Sequence, residues 1–106
     1  MTSQLSNLAC DLTAIGDEQR EEHQLKARQL FEATLETQEL PDGFAFRLPL
    51  ESSMIVKAAE FIAVERLCCP FFNFGLELEP DGGPLWLRIT GSTEAKQVLA
   101  AELTAV

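Results

Sequence analysis

Residues 72–90, Phe-Asn-Phe-Gly-Leu-Glu-Leu-Glu-Pro-Asp-Gly-Gly-Pro-Leu-Trp-Leu-Arg-Ile-Thr, decide the fold class. Phe72, Phe74, Leu76 and Leu78 alternate with Asn73, Gly75, Glu77 and Glu79, the two-residue period of a half-buried strand. Pro80-Asp81-Gly82-Gly83-Pro84 is a cluster of turn formers. Leu85, Leu87 and Ile89 then alternate with Trp86, Arg88 and Thr90. The segment therefore reads as a β-hairpin with a loop of about five residues. Trp86, Arg88 and Thr90 face away from its apolar side.

Outward from the hairpin the period changes. Gly91-Ser92 opens a helix over roughly 93–103, with Val98, Leu99 and Leu103 as apolar contacts. Upstream, residues 51–68 read as a helix buried through Met54, Ala58, Phe61 and Ile62, with Ser52 or Ser53 as N-cap. Pro70 ends it and biases Cys69 away from helical angles. Phe44, Phe46 and Leu48 alternate with Ala45 and Arg47 in a strand that follows the turn Pro41-Asp42-Gly43. Residues 17–38 lack Gly and Pro and are rich in helix formers. At 3.6 residues per turn, Arg20, His23, Ala27, Leu30, Phe31 and Thr34 share its buried face.

The predicted order is α-β-α-β-β-α. It makes a single small α+β domain over 17–106, with a three-stranded, mostly antiparallel sheet and helices mainly on one face. Residues 1–16 are a weakly patterned N-terminal segment.

Totals narrow the function classes. A chain of 106 residues is one domain with room for a real core. Its net charge of -9 argues against nucleic acid and against anionic membrane surfaces, both of which select basic patches. No basic, apolar leader and no apolar run near 20 residues is present. Three cysteines, two of them adjacent, are not a disulfide framework. The expected location is cytoplasmic.

Three blocks, Glu-Leu-Pro-Asp-Gly-Phe-Ala-Phe-Arg (39–47), Glu-Arg-Leu-Cys-Cys-Pro-Phe-Phe (65–72) and Gly-Gly-Pro-Leu-Trp-Leu-Arg-Ile-Thr-Gly (82–91), resemble a family of small, uncharacterised bacterial proteins. The resemblance spans about residues 17–103, and Arg20 and His23 match its first-helix pattern. It implies a bacterial cytoplasmic single domain and supplies no mechanism.

The residues themselves suggest where chemistry would sit. Glu65 falls in the middle of an apolar helical stripe, and an unpaired buried carboxylate is costly. Arg20 or His23 on the first helix is the expected partner. Such a pair can be purely structural, fixing how two helices dock. His23, Glu65, Cys68 and Cys69 can alternatively bind zinc or another thiophilic metal. Adjacent thiols chelate one ion only if the helix has ended, which Pro70 allows. A third reading is redox: a vicinal Cys68–Cys69 disulfide would be strained and easily reduced. Cys10 reads as incidental. Nothing marks a nucleophile elbow or a phosphate-binding loop.

The expected function is metal-ion or thiol-based binding or sensing at a His/Glu/Cys pocket. The alternative is a non-catalytic homodimer or protein-interaction domain, anchored by an outward Trp86 with Arg88 and Arg47 beside it.

Overall fold

The computed structural model describes residues 10–105. A short 3-10 turn (Leu12–Ala14) leads into α1 (Asp17–Glu32), followed by β1 (Glu36–Leu40), β2 (Gly43–Leu48), α2 (Ser52–Cys68), β3 (Asn73–Leu78), β4 (Leu85–Thr90) and α3 (Thr93–Ala105). Among the described residues, three helices and a four-stranded antiparallel sheet in the order β1-β2-β4-β3 make an α+β fold.

The fourth strand corrects the expected three. The expectation of a helix through residue 38 rests on Glu36 and Gln38 as good helix formers in a run without Gly or Pro. The helix instead ends at Glu32, and Pro41-Asp42 closes a hairpin that pairs Leu40 with Gly43 and Glu36 with Arg47. Tertiary pairing overrides local preference here: Leu35 N–H donates to the Arg47 carbonyl at 2.7 Å and extends the ladder. The first helix of the chain thus precedes two consecutive strands, and the order is α-β-β-α-β-β-α.

The long hairpin forms as its alternation requires. Asp81 (φ 58°) and Gly82 (φ 70°) take the two left-handed positions of the turn, and Gly83 N–H closes it on the Pro80 carbonyl at 3.1 Å. Asp-Gly suits this turn, whose twist matches that of the flanking strands. Its far end is less buried than the pattern suggests: Leu78 is exposed on the edge strand.

Across the sheet, Phe46, Leu48, Leu85, Leu87 and Ile89 form a buried floor. Leu30 from α1, Met54, Ala58 and Phe61 from α2, and Ala95 and Leu99 from α3 cover it. Phe31 ties the layers together, edge-on to both Phe46 (5.0 Å) and Phe61 (5.7 Å). At α2 the N-cap is Glu51, with no side-chain capping bond, rather than Ser52 or Ser53. Ser92 caps α3, its hydroxyl accepting from Ala95 N–H at 3.1 Å. Among the described residues, no helix is long and apolar enough to cross a membrane.

One glycine is required by packing between strands. A Cβ on Gly43 would lie 2.0 Å from the Ile89 carbonyl oxygen and 2.7 Å from Thr90 Cα, both backbone atoms. Gly43→Ala is expected to destabilise the fold by roughly 2–3 kcal/mol, because neither strand can retreat without breaking the ladder. Urea unfolding measures the loss.

Candidate functional site

The feature that organises the site is the C-terminal end of α2. Glu65 and Cys69 are four residues apart and lie on one face. Cys69 is the C-cap, its N–H donating to the Glu65 carbonyl at 2.7 Å. The N-terminal segment crosses this end, where Asp11 N–H donates to the Cys68 carbonyl at 2.7 Å. Asp11 also caps the 3-10 turn, and its hydrogen bonds from Thr13 hold its carboxyl below the ordinary range.

That crossing brings Cys10 to Cys69, and the two form a disulfide. This corrects the reading of Cys10 as incidental, and of Cys68–Cys69 as the pair a redox site would use. Cys68 is the free cysteine, buried. Burial pushes its thiol pKa up, and the Glu65 and Asp11 charges push it further the same way. It is therefore a protonated, apolar packing group at neutral pH rather than a nucleophile.

Glu65 finds the expected kind of partner. His23, projecting from α1, places Nε2 2.6 Å from Glu65 Oε1. The imidazole is 7% exposed and stacks on Phe61, with centroids 5.3 Å apart. Its Nδ1 is buried without a hydrogen-bond partner. Arg20, the other expected partner, has its guanidinium 3.4 Å from Asp17 Oδ1. Lys26 and Glu60, 3.3 Å apart, add an outer tie between α1 and α2.

Each disulfide sulfur faces a carboxylate. Cys69 Sγ lies 3.5 Å from Glu65 Oε2, and Cys10 Sγ lies 3.5 Å from Glu102 Oε1 on α3. A disulfide sulfur carries no proton, so these are contacts in the oxidised protein and become hydrogen bonds once thiols exist. Glu102 is exposed as a whole, but desolvation of its carboxyl at the cavity raises its pKa, and the Glu65 charge raises it further.

The sulfurs, Glu65, Glu102 and His23 border a cavity of about 450 Å³ between α1, α2 and α3, with Phe61 among its apolar walls. One Glu65 oxygen and the sulfurs of Cys10 and Cys69 lie within 4.8 Å of one another. The structure thus brings together His23, Glu65 and Cys69 of the expected set. It adds Cys10 and Glu102, which the spacing did not reveal. Cys68 borders the same cavity, but its sulfur is not in that cluster.

The outward sheet face differs from expectation. Trp86 is 7% exposed, buried rather than presented as an anchor. The register sets it between Arg47 and Glu77. Arg47 pairs with Glu36 at 3.1 Å, and Arg88 pairs with Glu77. Arg47 and Arg88 thus carry ion pairs within the chain.

Comparison with known proteins returns no match: no family model, curated protein or solved structure matches the chain.

Two outcomes follow from this geometry. The disulfide closes a span of 59 residues, for which the chain-entropy model gives about 4 kcal/mol. Under oxidising conditions Cys10→Ser is expected to unfold at lower denaturant, by roughly 2–4 kcal/mol. With excess reductant the difference from wild type closes. Second, because the folded Glu102 pKa is raised, its stabilising contribution is complete below the ordinary carboxylate range and is lost as pH rises through the folded pKa. Glu102→Gln, which mimics the neutral acid, is expected to match wild type near pH 3 and exceed it at pH 7. Thermal unfolding across that range checks the sign.

Proposed function

We propose that this protein is a thiol–disulfide redox module whose working pair is Cys10 and Cys69. The observation that supports the reading best is Glu65: one oxygen engages His23 while the other faces the Cys69 sulfur. A staple needs no such group, whereas thiol–disulfide exchange needs a proton acceptor beside the thiol that must become a thiolate.

The two sulfurs divide the work by burial. Cys10 is half-buried and Cys69 is 1% exposed. In the reducing direction, an external thiolate attacks Cys10 Sγ and breaks the Cys10–Cys69 bond. Cys69 leaves as a thiolate and takes up a proton from solvent, relayed by way of the Glu65 carboxylate. A second external thiolate then attacks the external sulfur of the mixed disulfide and releases Cys10 as a thiolate, which takes the second proton from solvent. The external partner becomes a disulfide, so two electrons and two protons have entered the protein. In the oxidising direction, Glu65 accepts the Cys69 proton, and the thiolate attacks a mixed disulfide on Cys10. The hydrogen bond to His23 holds the carboxylate in position for both. The raised pKa of Cys68 keeps that neighbour out of the exchange.

This is the thiol-based form of the expected binding or sensing pocket. The test uses glutathione redox buffers. Wild type is expected to cycle between three free thiols and one, losing two hydrogens by mass. Cys69→Ser should accumulate a glutathione adduct on Cys10, since nothing resolves it. Glu65→Gln should slow resolution roughly 100-fold near neutral pH. A disulfide in the folded protein that neither glutathione nor dithiothreitol reduces would sink the proposal.

A further inference from the structure

Reduction changes what the cluster can hold. Two sulfurs bonded to each other have no thiolate to offer, but once the bond is broken the same place contains two thiols and a carboxylate, all converging. We infer that the reduced protein binds one thiophilic divalent cation, of the zinc or cadmium type, through Cys10 Sγ, Cys69 Sγ and Glu65 Oε2. This inference rests on the proposed redox pair and assigns it a ligand.

The donor set is of the right kind. Thiolate and carboxylate together suit zinc, and two thiolates favour it over calcium or magnesium. The spacing is also right. Zinc bonds of about 2.0–2.3 Å place tetrahedral ligands roughly 3.3–3.8 Å apart, and the three donor atoms already fall within 4.8 Å of one another. Cys10 lies on the connecting segment, outside every helix and strand.

The surroundings of the cluster fit a cation. His23 Nε2 lies 2.6 Å from the Glu65 oxygen left over and holds the carboxylate in position, as partners behind metal ligands commonly do. Glu102 sets a second carboxylate beside Cys10. Two thiolates between two carboxylates repel one another strongly, and a divalent ion removes that repulsion. His23 is thereby a positioning residue, its Nε2 already engaged, and Cys68 stands outside the donor set.

Binding and oxidation exclude each other. A low-molecular-weight disulfide takes two electrons from the metal-bound thiolates, the Cys10–Cys69 bond forms, two external thiolates leave, and the metal departs as the divalent cation. Charge and atoms balance, and the pocket reports redox state as metal release.

The test begins with wild-type protein, reduced by a phosphine under nitrogen, stripped with chelator and titrated with Co2+ and then Zn2+. The expected result is one equivalent of cobalt with thiolate charge-transfer absorption, displaced by zinc and abolished by prior oxidation. Zinc X-ray absorption on wild type should report two sulfurs with oxygen completing the shell. Cys68→Ser should bind as wild type does. His23→Gln should weaken zinc about 10- to 100-fold, and Cys10→Ser at least as much. No stoichiometric metal, a shell with three sulfurs or with none, or full affinity in Cys10→Ser would overturn the site. If wild type cycles its disulfide yet binds no metal, this inference falls and the redox reading stands. If it binds metal through two sulfurs yet never forms the disulfide, the metal site stands and the redox reading falls.

Discussion

A carboxylate placed in the middle of an apolar helical face is the constraint on which this structure turns. Glu65 cannot be left alone against Phe61 and the cavity wall, because an unpaired buried charge costs several kcal/mol. His23 answers it from α1, and the pair fixes how α1 and α2 sit against each other. The stacking of His23 on Phe61, and of Phe61 against Phe31, carries that alignment down to the sheet. The buried His23–Glu65 contact, with Lys26–Glu60 at the rim, thus sets how the two helices dock.

The same carboxylate links the core to the covalent chemistry at its rim. Because Glu65 and Cys69 are one helical turn apart, any pairing that orients Glu65 also decides what the Cys69 sulfur faces. Pro70 matters for the same reason. It stops α2 so that Cys69 takes an extended φ of -127° as the helix cap. Its sulfur is then presented to the crossing N-terminal segment instead of being wound into another turn.

The sequence made part of this visible. The hairpin of residues 72–90, α2 and α3 were legible because their periods are unbroken and their turns carry Pro, Asp and Gly. Glu65 was legible as a charge out of place, and so was the need for a partner on the first helix. The strand Glu36–Leu40 was not, because Glu-Thr-Gln-Glu-Leu is an exposed edge with no apolar alternation to read. Pro41-Asp42-Gly43 was its signal, a hairpin turn that local propensity disguised as the end of a helix. The role of Cys10 was hidden for a different reason. It lies 59 residues from its partner in a segment without period, and only the path of the chain brings them together. Glu102 was hidden likewise, as one acid among 17 acidic residues. Trp86 reads from its alternation as an exposed residue, yet it is buried, and strand pairing, which local pattern does not reveal, sets Arg47 and Glu77 beside it.

The sheet's outer hairpin bears on how copies of the chain behave together. An open edge strand normally invites a neighbour to add to the ladder. At β1 the invitation is declined by chemistry. Lys96 Nζ reaches across from α3 to the Leu40 carbonyl at 2.8 Å and to Glu39 Oε2 at 2.8 Å. Glu36 is drawn to Arg47. The strand that sequence reasoning overlooked is thus short and charged, with one end tied down. The plainness that made it hard to read is also what keeps this border of the sheet from becoming a seam for polymerisation.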